Sequence, residues 1–189
     1  MRLPAGAARL SESLGPVPTL KTRRRTAEAF PVQGHDHAAC VSAAVATASA
    51  KCARDGQRLT TLRRRVLELV WQGHRPVGAY AILEQLKTDG RTAAPPTVYR
   101  ALDFLLECGL VHRIESLNAY VGCPQPEAPH RSQFLICRRC GTAAEIDDPA
   151  VSDALGQSAA AAGFSIESRV VELKGLCADC RRELAESAG

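Results

Sequence analysis

Residues 94–109 read APPTVYRALDFLLECG, and this segment predicts an amphipathic helix. Pro96 suits the first helical position, and Gly109 suits the position after the last one. Apolar residues recur at helical spacing and form the inward stripe: Val98, Ala101, Leu102 and Leu105. The residues left to point outward near the helix start are Thr97, Tyr99, Arg100 and Asp103.

The segments on either side complete the pattern of a winged helix-turn-helix. Three shorter helices are predicted before this one. The first is capped by Asp36, the second by Thr60 or Thr61, and the third is stopped at residues 89–90. Two strand-like runs follow it, at 110–115 and 119–123, with a turn at 116–118. Such a fold offers the first turn of its recognition helix to the DNA major groove.

The outward residues at the helix start are candidates for DNA contact. The hydroxyls of Thr97 and Tyr99 suit donation to phosphates, and Arg100 suits pairing with phosphate or reading of guanine edges. An ordinary amphipathic helix would present the same residues to solvent. The pattern alone leaves both interpretations open.

A stiff, polar connection at residues 124–129, PQPEAP, is the best domain boundary. Beyond it, the pattern predicts strands at 133–137, 143–146 and 168–174, a helix at 149–162 and a short helix within 177–186. This unit is too small to bury a large apolar core, so it needs a stabilising cross-link or a partner subunit. The predicted fold class is α+β, with a winged-helix domain at 35–123, a hinge at 124–130 and a dimerisation domain at 131–189.

Two CxxC pairs can supply such a cross-link: Cys137 with Cys140, and Cys177 with Cys180. Two intervening residues let both thiolates of a pair face one ion, and four thiolates make a closed tetrahedral zinc site. Such a site contributes folding free energy directly, on the order of 10 kcal/mol apparent. A redox CxxC is the alternative, but it needs only one pair, at a helix start in a thioredoxin-like context. The spacing therefore favours structural zinc.

A second group of metal-type residues flanks the hinge. His112 lies in the first wing strand, Cys123 ends the second, His130 follows the proline-rich connection and Glu145 lies in a strand beyond it. Each alone is typical of a surface histidine, a buried thiol or a solvated carboxylate. An ion held by all four would join wing, hinge and rear domain, and mixed N, S and O ligands suit Zn(II).

The remaining residues of this type carry weaker signals. His35, His37 and Cys40 form a further possible cluster, although a capped helix start also explains them. Cys52 and Cys108 fall on predicted helix faces, where a cysteine usually acts as a small buried hydrophobe. Catalysis finds no support, because the sequence has no GxSxG, HExxH, Walker A or GxGxxG motif.

Composition bounds the class of protein. The 189 residues are 46% hydrophobic and 23% charged, which excludes wholesale disorder. No run approaches 18 apolar residues, and the first thirty residues lack the apolar run of a signal peptide. We therefore expect a cytoplasmic protein without a membrane partner, whose eight cysteines serve metal or redox chemistry rather than disulfides.

Charge is distributed unevenly along the chain. Residues 1–118 hold 17 Lys+Arg against 10 Asp+Glu, whereas residues 119–189 hold 7 against 10. A basic front half suggests a polyanionic partner, although surface arginines alone would give the same asymmetry. Residues 1–34, rich in proline and containing Arg23-Arg24-Arg25, predict a disordered basic extension or a misplaced start. A DNA-backbone arm and a transit peptide are the alternatives.

These motifs together resemble the ferric uptake regulator family, and more narrowly its zinc uptake regulator branch. The resemblance rests on residues 95–105, on GLVH at 109–112 and on the paired CxxC motifs, and it covers about residues 36–182. It implies a homodimeric winged-helix repressor that binds AT-rich palindromic operator DNA when loaded with metal.

The resemblance also implies roles for single residues. The family's DNA-contacting block matches Tyr99 and Arg100, with Arg63 near the DNA backbone. The structural zinc site matches Cys137, Cys140, Cys177 and Cys180, and the zinc-sensing site matches His112, Cys123, His130 and Glu145. About two Zn²⁺ ions per subunit are therefore expected.

Two departures from the family pattern matter. Thr61 stands where the family usually has proline, which bears on how that helix begins. The iron and peroxide branches carry an HHxH run before the first CxxC, whereas residues 129–132 here hold one histidine. That difference and the Cys123 thiol favour zinc over iron or manganese. An iron or peroxide sensor, a redox switch using Cys40, Cys52 or Cys108, and a protein-binding zinc module are the alternatives.

Overall fold

The structure is a computed structural model that describes residue 30 and residues 36–128 and 130–187. The prediction of a disordered basic extension falls almost entirely on residues outside this range. His35 of the possible N-terminal cluster also lies outside it.

Four helices and a two-stranded hairpin form the N-terminal unit. The helices are α1 (His37–Arg54), α2 (Thr61–Trp71), α3 (Ala79–Thr88) and α4 (Pro95–Glu107). The antiparallel strands β1 (Val111–Ile114) and β2 (Ala119–Gly122) follow as the wing. This is the predicted winged-helix arrangement.

Side-chain caps and prolines account for the helix starts. The Asp36 carboxylate accepts from the first backbone N–H groups of α1, and the Thr60 hydroxyl, not that of Thr61, accepts from the first turn of α2. Helix α4 begins at Pro95, one residue earlier than predicted, because Ala94 is the extended N-cap. Pro95 and Pro96 thus fill positions where no intrahelical N–H bond is possible.

A single apolar core joins the helices to the wing. The predicted inward stripe of α4 is fully buried, and Leu102 and Leu105 have no exposed side-chain surface. They share this core with Val66 of α2, Leu86 of α3 and Val111 of β1. Burying one such leucine stabilises the fold by about 1.5–3 kcal/mol.

A short 3₁₀ helix, Glu115–Leu117, connects the two wing strands, and Asn118 ends it. We call residues 115–118 the wing turn. Asn118 adopts a left-handed conformation with φ of 46°, which asparagine tolerates better than most residues. Its side-chain oxygen accepts from the Arg113 guanidinium at 3.0 Å, which holds the turn against β1.

The C-terminal unit is built on a three-stranded sheet in the order β4-β3-β5. Strand β3 (Gln133–Cys137) pairs antiparallel with β4 (Ala143–Ile146) and parallel with β5 (Glu172–Gly175). Helix α5 (Pro149–Ala161) forms the crossover, and α6 (Ala178–Glu186) follows β5.

The predicted strand at 168–174 is wrong in its first half. Strand β5 begins only at Glu172, which pairs with Phe134. Because β3 itself begins at Gln133, residues 168–170 extend past its end. They lie instead beside α5, where the Arg169 guanidinium donates to the Ser152 carbonyl at 3.1 Å.

The two units contact each other directly. Ile114 and Val121 of the wing pack with Phe134, Ile136 and Ala143 of the sheet in a second apolar cluster. Backbone and ionic contacts add to it. The Ala143 N–H donates to the His74 carbonyl at 2.9 Å, and Glu127 of the linker between the units pairs with Arg54 at 2.6 Å. Within the described residues, no helix is long and apolar enough to cross a membrane.

Candidate metal centres and nucleic-acid interface

The four cysteines of the CxxC pairs meet because β3 and β5 are parallel. Cys137 at the end of β3 pairs in register with Gly175 at the end of β5, and each strand leads directly into a CxxC pair. The four Sγ atoms lie within 4.8 Å of one another, and those of Cys140 and Cys177 are 3.9 Å apart. A tetrahedral zinc with Zn–S bonds of about 2.3 Å needs sulfurs about 3.8 Å apart. The cluster fits a zinc ion.

The surroundings of these thiols also suit a cation. Burial raises the pKa of Cys137, but backbone N–H groups of Cys140, Cys177 and Arg139 outweigh it and hold the pKa at about 6. Burial and the neighbouring cysteines raise the pKa of Cys180 to about 12. Four thiols this close cannot all ionise without a cation between them, so metal binding would release protons.

The structure also brings together the second predicted ligand group. His112 comes from β1, Cys123 follows β2, His130 lies in the linker and Glu145 is in β4. Their ligand atoms lie within 4.8 Å of one another. The Glu145 carboxylate oxygen Oε1 is 2.7 Å from His130 Nε2 and 3.1 Å from His112 Nε2, and Cys123 Sγ is 3.5 Å from His130 Nε2.

Two features of this second group fit a metal ion. The other Glu145 oxygen, Oε2, is buried and has no hydrogen-bond partner among the described residues. The His130 Nδ1 lies 2.8 Å from the Ala128 carbonyl. A proton on Nδ1 would bond that carbonyl and leave the Nε2 lone pair facing the group.

Protonation of this group depends on what occupies it. Burial raises the pKa of the Cys123 thiol to about 12, so the thiolate requires a nearby cation. Burial also opposes ionisation of Glu145, but the hydrogen bond and charge of His112 outweigh it and lower the pKa of that carboxyl. One carboxylate, two imidazoles and one thiol make a donor set that suits tetrahedral zinc.

The candidate DNA-contacting residues lie at the exposed start of α4. Tyr99 is 37% exposed, Arg100 is exposed and Thr97 is half-buried. Arg63 is placed differently from these three. Its guanidinium carbon lies 3.5 Å from the centre of the Phe104 ring, and its Nη1 donates to the Arg58 carbonyl at 2.8 Å. Arg63 is thus held between α2 and α4 by a cation–π contact.

The other cysteines and histidines that the structure describes lie outside both clusters. The His37 ring lies 4.9 Å from that of His74, and neither His37 nor Cys40 belongs to a described group of three or more ligands. Cys52 is buried in the helical core, as expected. Burial and the nearby Cys52 raise the pKa of Cys108 to about 11, which disfavours thiolate chemistry there.

Two polar residues around these sites were not predicted from the sequence. The Ser132 hydroxyl donates to Glu145 Oε1 at 2.5 Å and lies 3.3 Å from His112 Nε2. Its position two residues after His130 was the available signal. The Glu172 carboxylate accepts from backbone N–H groups of the wing turn, and no sequence pattern pointed to that contact.

Comparison with known proteins adds independent evidence. Residues 54–174 match the sequence profile of the ferric uptake regulator family. The chain belongs to this family. Its similarity extends to the zinc uptake regulation protein of Escherichia coli (strain K12), at 44% identity over 137 residues, which are 72% of this chain and 80% of that protein. The protein of the same name from Mycobacterium tuberculosis (strain H37Rv) is 32% identical over 106 residues, or 54% and 78% of the two chains.

Solved structures of family members agree. A zinc uptake regulator complexed with zinc and DNA superimposes with a TM-score of 0.72 at 42% identity, covering 77% of this chain and 97% of that one. The holo form of the regulator XcZur gives a TM-score of 0.67 at 43% identity, covering 73% and 96%. These matches confirm the predicted resemblance to the zinc branch. With two ligand groups that each fit one ion, the chain could bind about two zinc ions, as expected.

Proposed function

We propose that this family member is a zinc-responsive transcriptional repressor rather than an enzyme. In this proposal, a zinc-loaded homodimer binds a palindromic, AT-rich operator in the cytoplasm and controls zinc uptake genes. The observation that carries the proposal is the second ligand group. It draws two ligands from the wing, one from the linker and one from β4 into a single cluster.

Each part of the chain has a task in this proposal. Residues 35–123 form the DNA-binding domain, residues 124–130 the hinge and residues 131–189 the dimerisation domain. Cys137, Cys140, Cys177 and Cys180 hold a permanent structural zinc. His112, Cys123, His130 and Glu145 hold the sensed zinc. When bound there, zinc supplies a bridge between domains, and it does no covalent chemistry.

The bridging ligands fix where the DNA-contacting residues lie. His112 and Cys123 belong to the wing, which shares its core with α4. Joining them to Glu145 orients Thr97, Tyr99 and Arg100 of α4 relative to the dimer axis. It also orients Arg63 of α2, which contacts Phe104 of α4. Two recognition helices about 34 Å apart, or at a related spacing, then match successive major grooves. Zinc promotes this arrangement only if it binds the DNA-competent state more tightly than the others.

Exposed apolar residues support the homodimer. Strand β5 is at the edge of the described sheet, and Leu173 on it is 55% exposed. Phe164 and Val170, which precede β5, are 67% and 62% exposed. An unpaired strand edge with exposed apolar residues is typical of a surface that pairs with another chain.

The test pairs zinc stoichiometry with operator binding, before and after mild chelation. We expect about one zinc per subunit to leave together with DNA binding, while one zinc stays. The proposal would be contradicted if operator affinity is the same before and after chelation and the protein never holds more than about one zinc per subunit. Restoration by iron but not by zinc would instead identify an iron sensor. A duplex affinity that does not fall with salt would exclude operator binding, because phosphate contacts release counterions.

A further inference from the structure

One side chain of the sheet reaches the wing without taking part in either ligand group. Glu172 is the first residue of β5 and is half-buried. Its Oε1 accepts from the Glu115 N–H at 2.6 Å, and its Oε2 accepts from the Ser116 N–H at 3.2 Å. The two donors open the wing turn and stand 57 and 56 residues from Glu172 in sequence.

The chemistry of this contact is that of a helix cap. The first N–H groups of a helical turn have no acceptor within the turn and carry its partial positive charge. A carboxylate that accepts from two of them makes charge-assisted hydrogen bonds. Burial opposes ionisation of Glu172, but the bonds from Ser116 and Glu115 outweigh it and lower its pKa. The cap of the wing turn is thus supplied by the other unit.

The location of the contact gives it a geometric consequence. His112 lies three residues before Glu115, which is about 10 Å along an extended chain. An ion bound by His112 and Cys123 holds the wing near the end of the hairpin where Val111 pairs with Gly122, and the apolar cluster packs the face of the hairpin on the sheet. The Glu172 contact holds the opposite end, at the wing turn, so contacts at both ends together set the direction of β1.

We propose that Glu172 is a positioning residue that sets the direction of the wing on the C-terminal unit without touching metal or DNA. Its effect on DNA binding rests on the proposed function, whereas the contact itself does not. The contact of Glu172 with the wing turn and the second ligand group favour the same arrangement. Loss of the Glu172 contact therefore weakens zinc binding by the second group, which consists of His112, Cys123, His130 and Glu145. It weakens operator binding for the same reason.

The experiment compares the full-length wild-type protein with Glu172→Gln, Glu172→Ala and the control Glu167→Gln. Glu167 is an exposed acid near Glu172 that accepts no hydrogen bond within the described residues. Hydrogen–deuterium exchange in zinc-loaded protein reports on the Glu115 and Ser116 amides. Competition with a zinc chelator reports on the second site, and titration with the operator duplex of the preceding experiment reports on DNA.

We expect Glu172→Ala to speed exchange of those two amides and to weaken second-site zinc and operator binding, each by about 3- to 10-fold, with Glu172→Gln in between. Structural zinc content, exchange in β3 and the control variant stay unchanged. Unchanged exchange of the Glu115 and Ser116 amides in Glu172→Ala would overturn the proposed role of Glu172. Faster amide exchange throughout β3 and β5 would indicate that the whole sheet is destabilised, and it would also overturn the proposed positioning role.

The two proposals fail separately. Faster amide exchange with unchanged zinc affinity would overturn the positioning role even if operator binding responds to zinc. If the wild-type protein shows no zinc-dependent operator binding, the proposed function fails. Amide exchange and zinc competition still decide the role of Glu172 in that case.

Discussion

At the residue scale, Cys123 is the proposed zinc ligand that most depends on its surroundings. It is 3% exposed, and its thiol is protonated at neutral pH because burial raises its pKa to about 12. A metal that binds this thiol must displace its proton, so affinity at the second site rises with pH.

Replacing Cys123 with serine tests the division of labour between the two sites. We expect Cys123→Ser to hold about one zinc per subunit instead of two and to lose zinc-dependent DNA binding, because a neutral hydroxyl is a poor zinc ligand. Circular dichroism and the dimer mass should match the wild type. Cys108→Ser, outside both ligand groups, is the control. An unfolded Cys123→Ser protein would mean that the second site is structural.

The start of α4 supports a second prediction at this scale. We expect Arg100→Ala and Tyr99→Phe each to weaken operator binding by about 1–3 kcal/mol without changing zinc content. An Arg100 contact to phosphate would also reduce the salt slope by about one. Arg181→Ala, an exposed arginine on α6, is the charge-matched control. Unchanged operator affinity in both variants would exclude α4 as the recognition helix.

At the element scale, strand β2 packs against the end of α2 through Gly122 and Trp71. A Cβ atom on Gly122 would lie 2.1 Å from the Cε2 atom of Trp71, so the indole packs directly on the strand backbone. Gly122 precedes Cys123, a proposed zinc ligand. The position of that ligand therefore depends on the packing of Trp71.

We expect Gly122→Ala to destabilise the protein by about 1–3 kcal/mol, because the indole or the strand must move. Trp71→Ala removes the clash but leaves a cavity, so the double variant should lose less stability than the sum of the single variants. Urea unfolding followed by circular dichroism measures these differences. Gly78→Ala, where a new Cβ meets nothing within 4 Å, should cost less than about 1 kcal/mol, which is the difference between glycine and alanine at a helix N-cap. Strictly additive losses would contradict the described packing.

Local patterns were sufficient to predict most elements. The helical period, the cap at Asp36, the cap at Thr60 or Thr61 and the turn at 116–118 were predicted from neighbouring residues. The structure selects Thr60 for the second cap. The length of β5 is not determined by neighbouring residues, because it depends on where its parallel partner β3 begins. Spacing alone predicted the four-cysteine cluster. Glu172 could not be found this way, since its partners lie more than fifty residues away and are backbone groups.

At the scale of the whole molecule, the two units differ in what holds them together. The N-terminal unit has a continuous apolar core that contains no proposed zinc ligand. The sheet of the C-terminal unit leads instead into the four cysteines, of which Cys137, Cys177 and Cys180 are buried and Cys140 is partly buried against them. Metal loss should therefore affect the two units unequally.

Removal of the structural zinc tests this difference. We expect Cys180→Ser, or exhaustive chelation, to unfold the C-terminal unit and abolish the dimer, because such a site contributes on the order of 10 kcal/mol of folding free energy. The helical signal of α1–α4 should persist. Light scattering for mass and circular dichroism for helix content would measure both effects. A zinc-free dimer that survives intact would show that the cysteines do not hold the fold.

The packing of Trp71 on Gly122 has a practical consequence. Trp71 is the single tryptophan of the chain, so all indole fluorescence comes from one position. Its ring rests on the residue next to Cys123, and any shift of that strand alters the polarity around the chromophore. The molecule thus contains a built-in optical reporter beside its second ligand group. Metal titrations can be followed by emission wavelength in the unlabelled protein.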